Sequence, residues 1–469
     1  MKIELKHQVF KQIAAITNKH NIPAYVVGGY VRDLFLNRES KDIDVVVVGD
    51  GIEIAKELAE SIENSHYAYF KNFGTALVKT NEWEIEFVGA RKESYVHDSR
   101  KPYVSPGSLT DDQNRRDFTM NALAISLNEA DYGTLVDPFG GLNDLNNKII
   151  RTPLNPDITF SDDPLRMLRC IRFSAQLKFE IHEETFEALK RNAERIKIIS
   201  AERINEELNK ILKSPKPSIG FNLLFDCGLL QLIFPELAAL HGVEVKQGKA
   251  HKDNFYHTLM VLDQLCNYSE DLWLRWAALL HDIAKPLTKK FEPGTGWTFH
   301  GHEDKGSRMV KRIFNRLRLP QNEKMKFVEK MVAMHHRPKV LAEHGVTDSA
   351  IRRLIVDTGE DIDALFLLCK ADITSKNAHK VETYRSNLEQ VKQMVADVTE
   401  RDHLRNWQPP VSGELIMQTF GIGPGREVGL IKTEIREAIL ENKIPNEFEQ
   451  AFNFMIETGK KLGLTPVNK

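Results

Sequence analysis

The strongest constraint on this chain is a change of hydrophobic period near residue 160. Beyond it, apolar residues recur at helical spacing over 163–177, 183–194, 200–213, 218–230, 255–267, 272–284, 303–317, 322–334 and 360–376. Segments of that period do not make sheet, which needs alternation of two or short β-branched runs. Any sizeable sheet must therefore come from the first third. There, 4–20 reads as a helix ended by Pro23, Ala24–Val27 as a strand, Gly28-Gly29 as a tight turn and 31–36 as a helix. Positions 42–48 form a β-branched strand, 52–62 a helix, and 76–79 with 83–88 a hairpin around Thr80-Asn81-Glu82. The pattern predicts an α+β head over 1–150, then all-α units over 151–235, 236–385 and 386–469. Pro215, Pro217 and Pro235 punctuate the helices, and Trp407-Gln408-Pro409-Pro410 reads as a linker before a last helical unit.

A chain of 469 residues has room for two to four domains. Its formal net charge of −2 neither favours nor excludes a nucleic-acid partner, because a local basic surface suffices for one. The four cysteines (Cys170, Cys227, Cys266, Cys369) are scattered in apolar surroundings without metal-ligand spacing, as expected for reduced core residues of a cytoplasmic protein. No apolar run approaches membrane-spanning length and the N-terminus lacks a signal-peptide core, so no membrane partner is expected. The histidines cluster: nine of sixteen fall between His241 and His344. That clustering suggests a chemical site of its own.

A first site is written on one strand. Asp42 and Asp44 are two apart, so both carboxylates leave the same face while Ile43 and Val45 enter the core. Paired carboxylates suit Mg²⁺ and two-metal chemistry, one ion activating a 3′-hydroxyl and one steadying a triphosphate. A solvated strand face would look the same in isolation. Here, however, Gly28-Gly29 follows a strand and opens a helix just upstream, with backbone N–H groups suited to phosphates, and Arg32 and Asp33 follow. Further on, Asp163 and Arg166 are three apart at a predicted helix start. On one helical face, a carboxylate and a guanidinium can imitate a Watson–Crick edge for C or A. The plainer alternative is a helix-start salt bridge, with Asp162 and Asp163 suiting the helix dipole.

Gly28-Gly29-Tyr30-Val31-Arg32-Asp33, followed by Lys41-Asp42-Ile43-Asp44, resembles the class II CCA-adding tRNA nucleotidyltransferases and bacterial poly(A) polymerases, which are polymerase-β-like. Arg115-Arg116-Asp117-Phe118-Thr119-Met120-Asn121-Ala122-Leu123 resembles that family's ribose-selecting motif. Asp137-Pro138-Phe139-Gly140-Gly141-Leu142 with Asp144-Leu145 resembles its head-to-neck connector, and Asp162-Asp163-Pro164-Leu165-Arg166-Met167-Leu168-Arg169 its amino-acid template for the incoming base. Ser200-Ala201-Glu202-Arg203-Ile204 resembles its neck-helix motif. Two departures stand out: Asn37 replaces a usual glycine, and Asp162 a usual glutamate. The resemblance implies catalysis by Asp42, Asp44 and Glu86. Glu86 is chosen from Glu82, Glu84 and Glu86 because it stands five residues before Arg91, as the family's strand acid does. It also implies nucleotide binding by Gly28, Gly29, Arg32, Arg115, Arg116, Asp117, Asn121, Asp163, Arg166, Arg169 and Arg172. Segment 91–112, with Tyr95, Asp98, Arg100 and Pro102, resembles the family's flexible loop. The implied activity is template-independent addition of C and A from CTP and ATP to the 3′ end of tRNA, with no DNA partner and an open oligomeric state. Poly(A) addition, or addition of only CC or only A, shares the same motifs.

The order His257, His281-Asp282, His302, His335, Asp372 resembles the HD phosphohydrolases, whose imidazoles and carboxylates hold metal for attack of water on a phosphate ester. Imidazole-rich ligation suits Ni²⁺, Co²⁺ or Mn²⁺, and His335 and His336 compete for one ligand position. A degenerate scaffold is the alternative. Two signalling classes also pair a nucleotidyltransferase with an HD unit: guanosine-tetraphosphate synthetase–hydrolases and protein uridylyltransferases. Both lack the motif at Arg115 to Ala122 and the template. A non-catalytic RNA-binding protein is at odds with intact Asp42 and Asp44. At the tail, the glycines around Gly423-Pro424-Gly425 before a helix at 427–440 suit either RNA phosphates or helix packing.

Overall fold

The computed structural model describes residues 1–467 apart from 72–73, 97–98, 344–346, 376 and 403–408, with backbone alone at 93–96, 99–103 and 343. The chain divides into two compact units, Met1–Ala239 and Leu240–Lys469.

In the first unit, strands β1 (Ala24–Val27), β2 (Asp42–Val47), β3 (His66–Phe70), β4 (Thr75–Lys79), β5 (Glu84–Gly89), β8 (Ala124–Ser126) and β9 (Leu135–Val136) form one sheet. Its order is β3-β4-β5-β2-β1-β8-β9. The β2–β5 pair is parallel and the others antiparallel. Alternation fixes which side of β2 is core: Ile43, Val45 and Val47 are fully buried, while Asp42 is exposed and Asp44 half-buried. Helices Gln8–Lys19 and Gly51–Ser61 bury Phe10, Ile13, Ile54 and Leu58. The predicted 76–79/83–88 hairpin is β4–β5, its turn held by Trp83 N–H donating to Thr80 Oγ1 at 2.9 Å.

Three parts of the first unit differ from the sequence reading. Strand β3 was not expected; it is a sheet edge with most residues exposed, so no buried face marks its pattern. The segment expected as a loop from 91 contains strands β6 (Arg91–Val96) and β7 (Ser99–Pro106), paired only with each other, then the helix Leu109–Asn114. Asp98 lies outside the described residues, as do the side chains of Tyr95, Arg100 and Pro102. Finally, Asp163 is not helical. The helix begins at Leu165, and Asp163 has φ −135° and ψ 99°. The following Pro164 disfavours the α region for the residue before it, which takes Asp163 off the helical face it was expected to share with Arg166. Asn37, by contrast, has φ +51°, the left-handed backbone a glycine usually supplies and an asparagine tolerates.

Pro217 and Pro235 each stand in the first turn of a helix, where their missing N–H costs nothing. The second unit is almost all helix, with Trp276, Phe255 and Phe314 fully buried. Its helix Ala378–Asp402 is continuous, so the expected 385/386 division falls inside it. Trp407 and Gln408 of the expected linker lie outside the described residues. Three helices follow, Gly413–Phe420, Arg426–Leu440 and Phe448–Lys461, closed around Ile416, Phe420, Ile431, Ile435 and Met455. Gly429 lies within the second of them. Cys170, Cys227 and Cys369 are buried and Cys266 half-buried. No helix among the described residues is long and apolar enough to cross a membrane.

Gly141 ties the connector to the head. Its N–H donates to Asp137 at 2.7 Å, and a Cβ there would lie 2.2 Å from the Thr119 carbonyl oxygen. Since the obstacle is backbone, Gly141→Ala should cost about 1–3 kcal/mol, the usual range for overpacking. Urea unfolding should show a lower midpoint; an unchanged midpoint would mean that the connector yields.

Candidate functional site

In the head, β1 runs into the Gly28-Gly29 turn, which faces the carboxylates of β2. Gly28 has φ +74°, and a Cβ on it would lie 2.9 Å from Asp44 Oδ2 and 3.0 Å from Arg116 Nη1. Only glycine lets that carboxylate and that guanidinium close on the turn. The parallel register sets Asp42 beside Glu84 and Asp44 beside Glu86, so four carboxylates leave one face. Burial raises the Asp44 carboxyl above its ordinary range; Arg116 opposes this, while Asp42 and Asp112 add to it. Burial and Asp44 likewise raise Glu86, against Arg91. Hard oxygen donors that repel one another in this way fit a divalent cation.

A framework of ion pairs holds the opposite wall. Asp112 is fully buried and clamps both Arg115 and Arg116, the latter through Oδ2 at 2.9 Å. Arg32 donates to Asn121 Oδ1 at 2.9 Å, Asn121 donates to Asp117 Oδ1 at 2.9 Å, and Arg169 Nε donates to Asp117 Oδ2 at 2.7 Å. The guanidinium groups of Arg32, Arg169 and Arg172 lie 4.2–5.6 Å from the ring centroid of Phe173. Arg172 also pairs with buried Glu207 at 3.2 Å.

Gly28, Gly29, Arg32, Asp42, Asp44, Glu86, Arg116, Asp117, Asn121, Arg169 and Arg172 line one cavity of about 560 Å³. Arg115, Asp163 and Arg166 do not line it. Arg115 is turned to Asp112. Arg166 donates to the carbonyls of Arg115 at 2.5 Å and Thr159 at 3.3 Å, and Asp163 accepts from the Leu165 N–H and lies 3.6 Å from Arg203. The sequence reading missed Asp112, Phe173 and Glu207. Asp112 had a signal, since it stands three and four residues before the arginines it holds; Glu207 had none.

In the second unit, His257 lies in the first turn of Asn254–Leu265, His281 and Asp282 follow Leu272–Leu280, and His302 opens His302–Arg316. His335 ends Glu323–Met334, and Asp372 ends Ile362–Ala371. Their ligand atoms gather as two triads, each within 4.8 Å: His257, His281 and Asp372, and Asp282, His302 and His335. Among the described residues the head carboxylates form no cluster that tight.

The tautomers follow from the outer partners. Nδ1 of His281, His302 and His335 contact the carbonyls of Ala278, Phe299 and Val332 at 2.7–2.9 Å. A carbonyl only accepts, so each Nδ1 carries the proton and each Nε2 presents a lone pair inward. Two of those lone pairs meet carboxylate oxygens: His281 Nε2 to Asp282 Oδ2 at 3.2 Å and His302 Nε2 to Asp282 Oδ1 at 3.3 Å, while His257, whose Nδ1 contacts the Thr374 hydroxyl at 2.9 Å, hydrogen-bonds through Nε2 to Asp372 Oδ1 at 3.0 Å. Buried His281 Nε2 has no hydrogen-bond partner, while Asp282 Oδ2 is met by the Lys285 ammonium. Acceptors facing acceptors fit a cation between them. Burial pushes Asp372 up, but His257 and His281 hold it down at about 2. Burial, with repulsion from His281, lowers His335 to about 3. His336 instead contacts Glu303 at 3.4 Å, so His335 is the residue inside the cluster. Lys285, three residues after Asp282 and 2.6 Å from it, was missed.

The chain matches the family model of the poly A polymerase head domain over residues 24–151, that of the probable RNA and SrmB-binding site of polymerase A over 178–240, and that of the HD domain over 254–402. It is 32% identical over 360 residues to the multifunctional CCA protein of Vibrio parahaemolyticus, covering 74% of this chain and 84% of that one. It is 48% identical over 167 residues to the A-adding tRNA nucleotidyltransferase of Aquifex aeolicus, covering 36% of this chain and 20% of that protein. A solved tRNA nucleotidyltransferase, complexed with a primer tRNA and an incoming ATP analog, aligns with a TM-score of 0.57 at 25% identity, over 81% of this chain and 98% of its own.

Asp117 offers a test of the head framework. Burial raises its carboxyl, yet Arg169 and Asn121 bring it down to about 2. A depressed carboxyl stabilises the fold above its unfolded value of about 4, and that stability is lost as pH falls through about 2. Asp117→Asn leaves Arg169 without its charge partner and should cost about 3–5 kcal/mol at neutral pH. In urea unfolding the gap between wild type and variant should close as pH falls below about 4. A gap independent of pH would mean that the carboxylate charge is not what stabilises.

Proposed function

The chain belongs to the nucleotidyltransferase family that contains the multifunctional CCA proteins, and from that premise we propose that it adds C and A from CTP and ATP to the 3′ end of tRNA without a nucleic-acid template. The observation that carries this is the cavity in which the Asp42, Asp44 and Glu86 carboxylates face Arg32, Arg116, Arg169 and Arg172. Asp42 and Asp44, with Glu86, would hold two Mg²⁺ ions, which neutralise triphosphate charge and acidify the 3′-hydroxyl. The arginines bind phosphate oxygens, and the buried Asp117–Asn121 pair keeps Arg32 and Arg169 in place for them. Asp163 and Arg166 select the base once Arg166 exchanges its backbone carbonyl partners for the nucleotide. The alternative of A addition alone is favoured by the 48% identity to the A-adding relative.

The second part of the proposal is that His257, His281, Asp282, His302, His335 and Asp372 hold a transition metal and repair blocked ends. The two triads of ligand atoms, and the buried His281 Nε2 without a hydrogen-bond partner, support it. Such a metal supplies the Lewis acidity that makes water nucleophilic at neutral pH. Adding water across the P–O3′ bond of a 2′,3′-cyclic phosphate joins its oxygen to phosphorus and its proton to O3′. The product is a free 3′-hydroxyl beside a 2′-phosphate.

The two activities should separate by variant. Asp44→Ala should abolish addition to tRNA lacking its last three nucleotides and spare hydrolysis of a blocked end. Asp282→Ala should do the reverse, with Mn²⁺, Co²⁺ or Ni²⁺ stimulating hydrolysis more than Mg²⁺. Sequencing the products with CTP and ATP supplied singly separates CCA from A addition. Loss of free-end addition in folded Asp282→Ala would refute the division of labour.

Base choice has its own test. Asp163→Ala and Arg166→Ala should each admit UTP and GTP, with selectivity falling by roughly tenfold or more, since sites built to pair a polar edge discriminate strongly. Unchanged selectivity in both variants rules out the template.

A further inference from the structure

In the first unit, the helix Pro217–Asp226 carries apolar residues on two faces. Phe221 and Leu224 point into the core and are fully buried. Ile219, Asn222, Leu223 and Asp226 stand at i, i+3, i+4 and i+7, so they share the opposite face. That face opens into a groove of about 600 Å³. The end of the helix Leu165–Leu177, the strand Glu180–Ile181 and the start of the helix Glu183–Asn192 complete the groove. Phe179, Ile181 and Phe186 line it together with Ile219 and Leu223. Of these five, only Phe179 is buried; the other four are half-buried. The Ser174 hydroxyl donates to the Phe179 carbonyl at 2.7 Å and fixes the chain there. A helix that is apolar all round is normally covered on every side, and this one has a side left open.

Two observations say what covers it. The first is an unused acceptor. Asn222 lines the groove, and its buried Oδ1 has no hydrogen-bond partner among the described residues. Buried amide oxygens are normally bonded, so the occupant brings a donor. The second is charge. Glu180, Glu183 and Asp226 line the groove and are exposed, and Lys178 is the one cation lining it among the described residues. None of the three carboxylates makes an ion pair among the described residues. A trough of this sign repels a chain of phosphates, so RNA does not fit it. Apolar side chains flanked by lysine or arginine do. We propose that the groove docks a basic amphipathic helix of a partner protein. Its apolar residues lie along Ile219 and Leu223, its cations meet Glu180, Glu183 and Asp226, and one of its donors reaches Asn222. None of these residues lines the head cavity, so docking and nucleotide binding use separate surfaces.

Fluorescence anisotropy tests this with the full-length protein and a labelled helical peptide of about four turns, leucine on one face and lysine on its flanks. Wild type should bind this peptide with an affinity that falls as salt is added. It should not bind two control peptides, one with glutamate in place of lysine and one with serine in place of leucine. Leu223→Ala, and separately Glu180→Lys combined with Asp226→Lys, should each weaken binding roughly tenfold, with melting curves to show that the variants fold. Glu449→Lys combined with Glu457→Lys reverses two exposed acids of the second unit and should change nothing. Nucleotide addition should be the same in all variants. A photo-reactive leucine analogue at the centre of the peptide should cross-link to residues between 174 and 226. Absence of binding, cross-links elsewhere, or an equal loss in the second-unit variant overturns the groove as the docking site. If sedimentation shows a dimer that Leu223→Ala dissociates, the occupant is a second copy of this chain and the basic partner is refuted.

Discussion

The head depends on a repulsion. Parallel pairing of β2 with β5 sets Asp42 and Asp44 beside Glu84 and Glu86, and no register that kept Ile43, Val45, Ile85 and Phe87 in the core would avoid it. Burying apolar residues on one side of the sheet forces like charges together on the other. Arg116 answers part of that charge, but Arg116 is itself fixed by Asp112, so the site stays short of positive charge at its carboxylates. Carboxylates held together in this way fit divalent cations.

The same logic appears in the second unit with different atoms. There, backbone carbonyls fix the protons of three imidazoles on Nδ1, and the freed Nε2 lone pairs are aimed at carboxylate oxygens. Each site gathers donors that fit a cation, oxygen-rich in the head and nitrogen-rich in the helical unit. The donor sets differ because one is built from strand alternation and the other from helix ends. Five helices end or begin at the second site, so each needs to contribute only one or two side chains.

Between the head carboxylates and the neck lies a chain of fixed pairs, Asp33 to Arg32, Asn121, Asp117 and Arg169. These side chains come from three places far apart in sequence, 32–33, 117–121 and 169. Their hydrogen bonds hold the guanidinium groups against Phe173 before any nucleotide arrives, so less side-chain entropy is lost on binding. Asp163 and Arg166 contrast with them. Their partners are backbone groups and Arg203, bonds of small net worth that tie them to no other member of that chain.

Much was legible in the residues alone. Period two in 42–48 and period 3.6 beyond 160 fixed where sheet and helix lie, because both are local rules of side-chain direction. Gly28-Gly29 with Asp42 and Asp44, and the order His257, His281-Asp282, His302, His335, Asp372, named the chemistry, because ligand types and their spacing survive without coordinates. Tertiary structure decided the rest. Strand β3 buries too little to mark the sequence. The residue before Pro164 left the helix for a steric reason that periodicity does not register. The choice of His335 over His336 turned on which way a helix end points, and Glu207 meets Arg172 only because two neck helices pack. What a side chain is was readable from the sequence; what it faces depended on residues far along the chain.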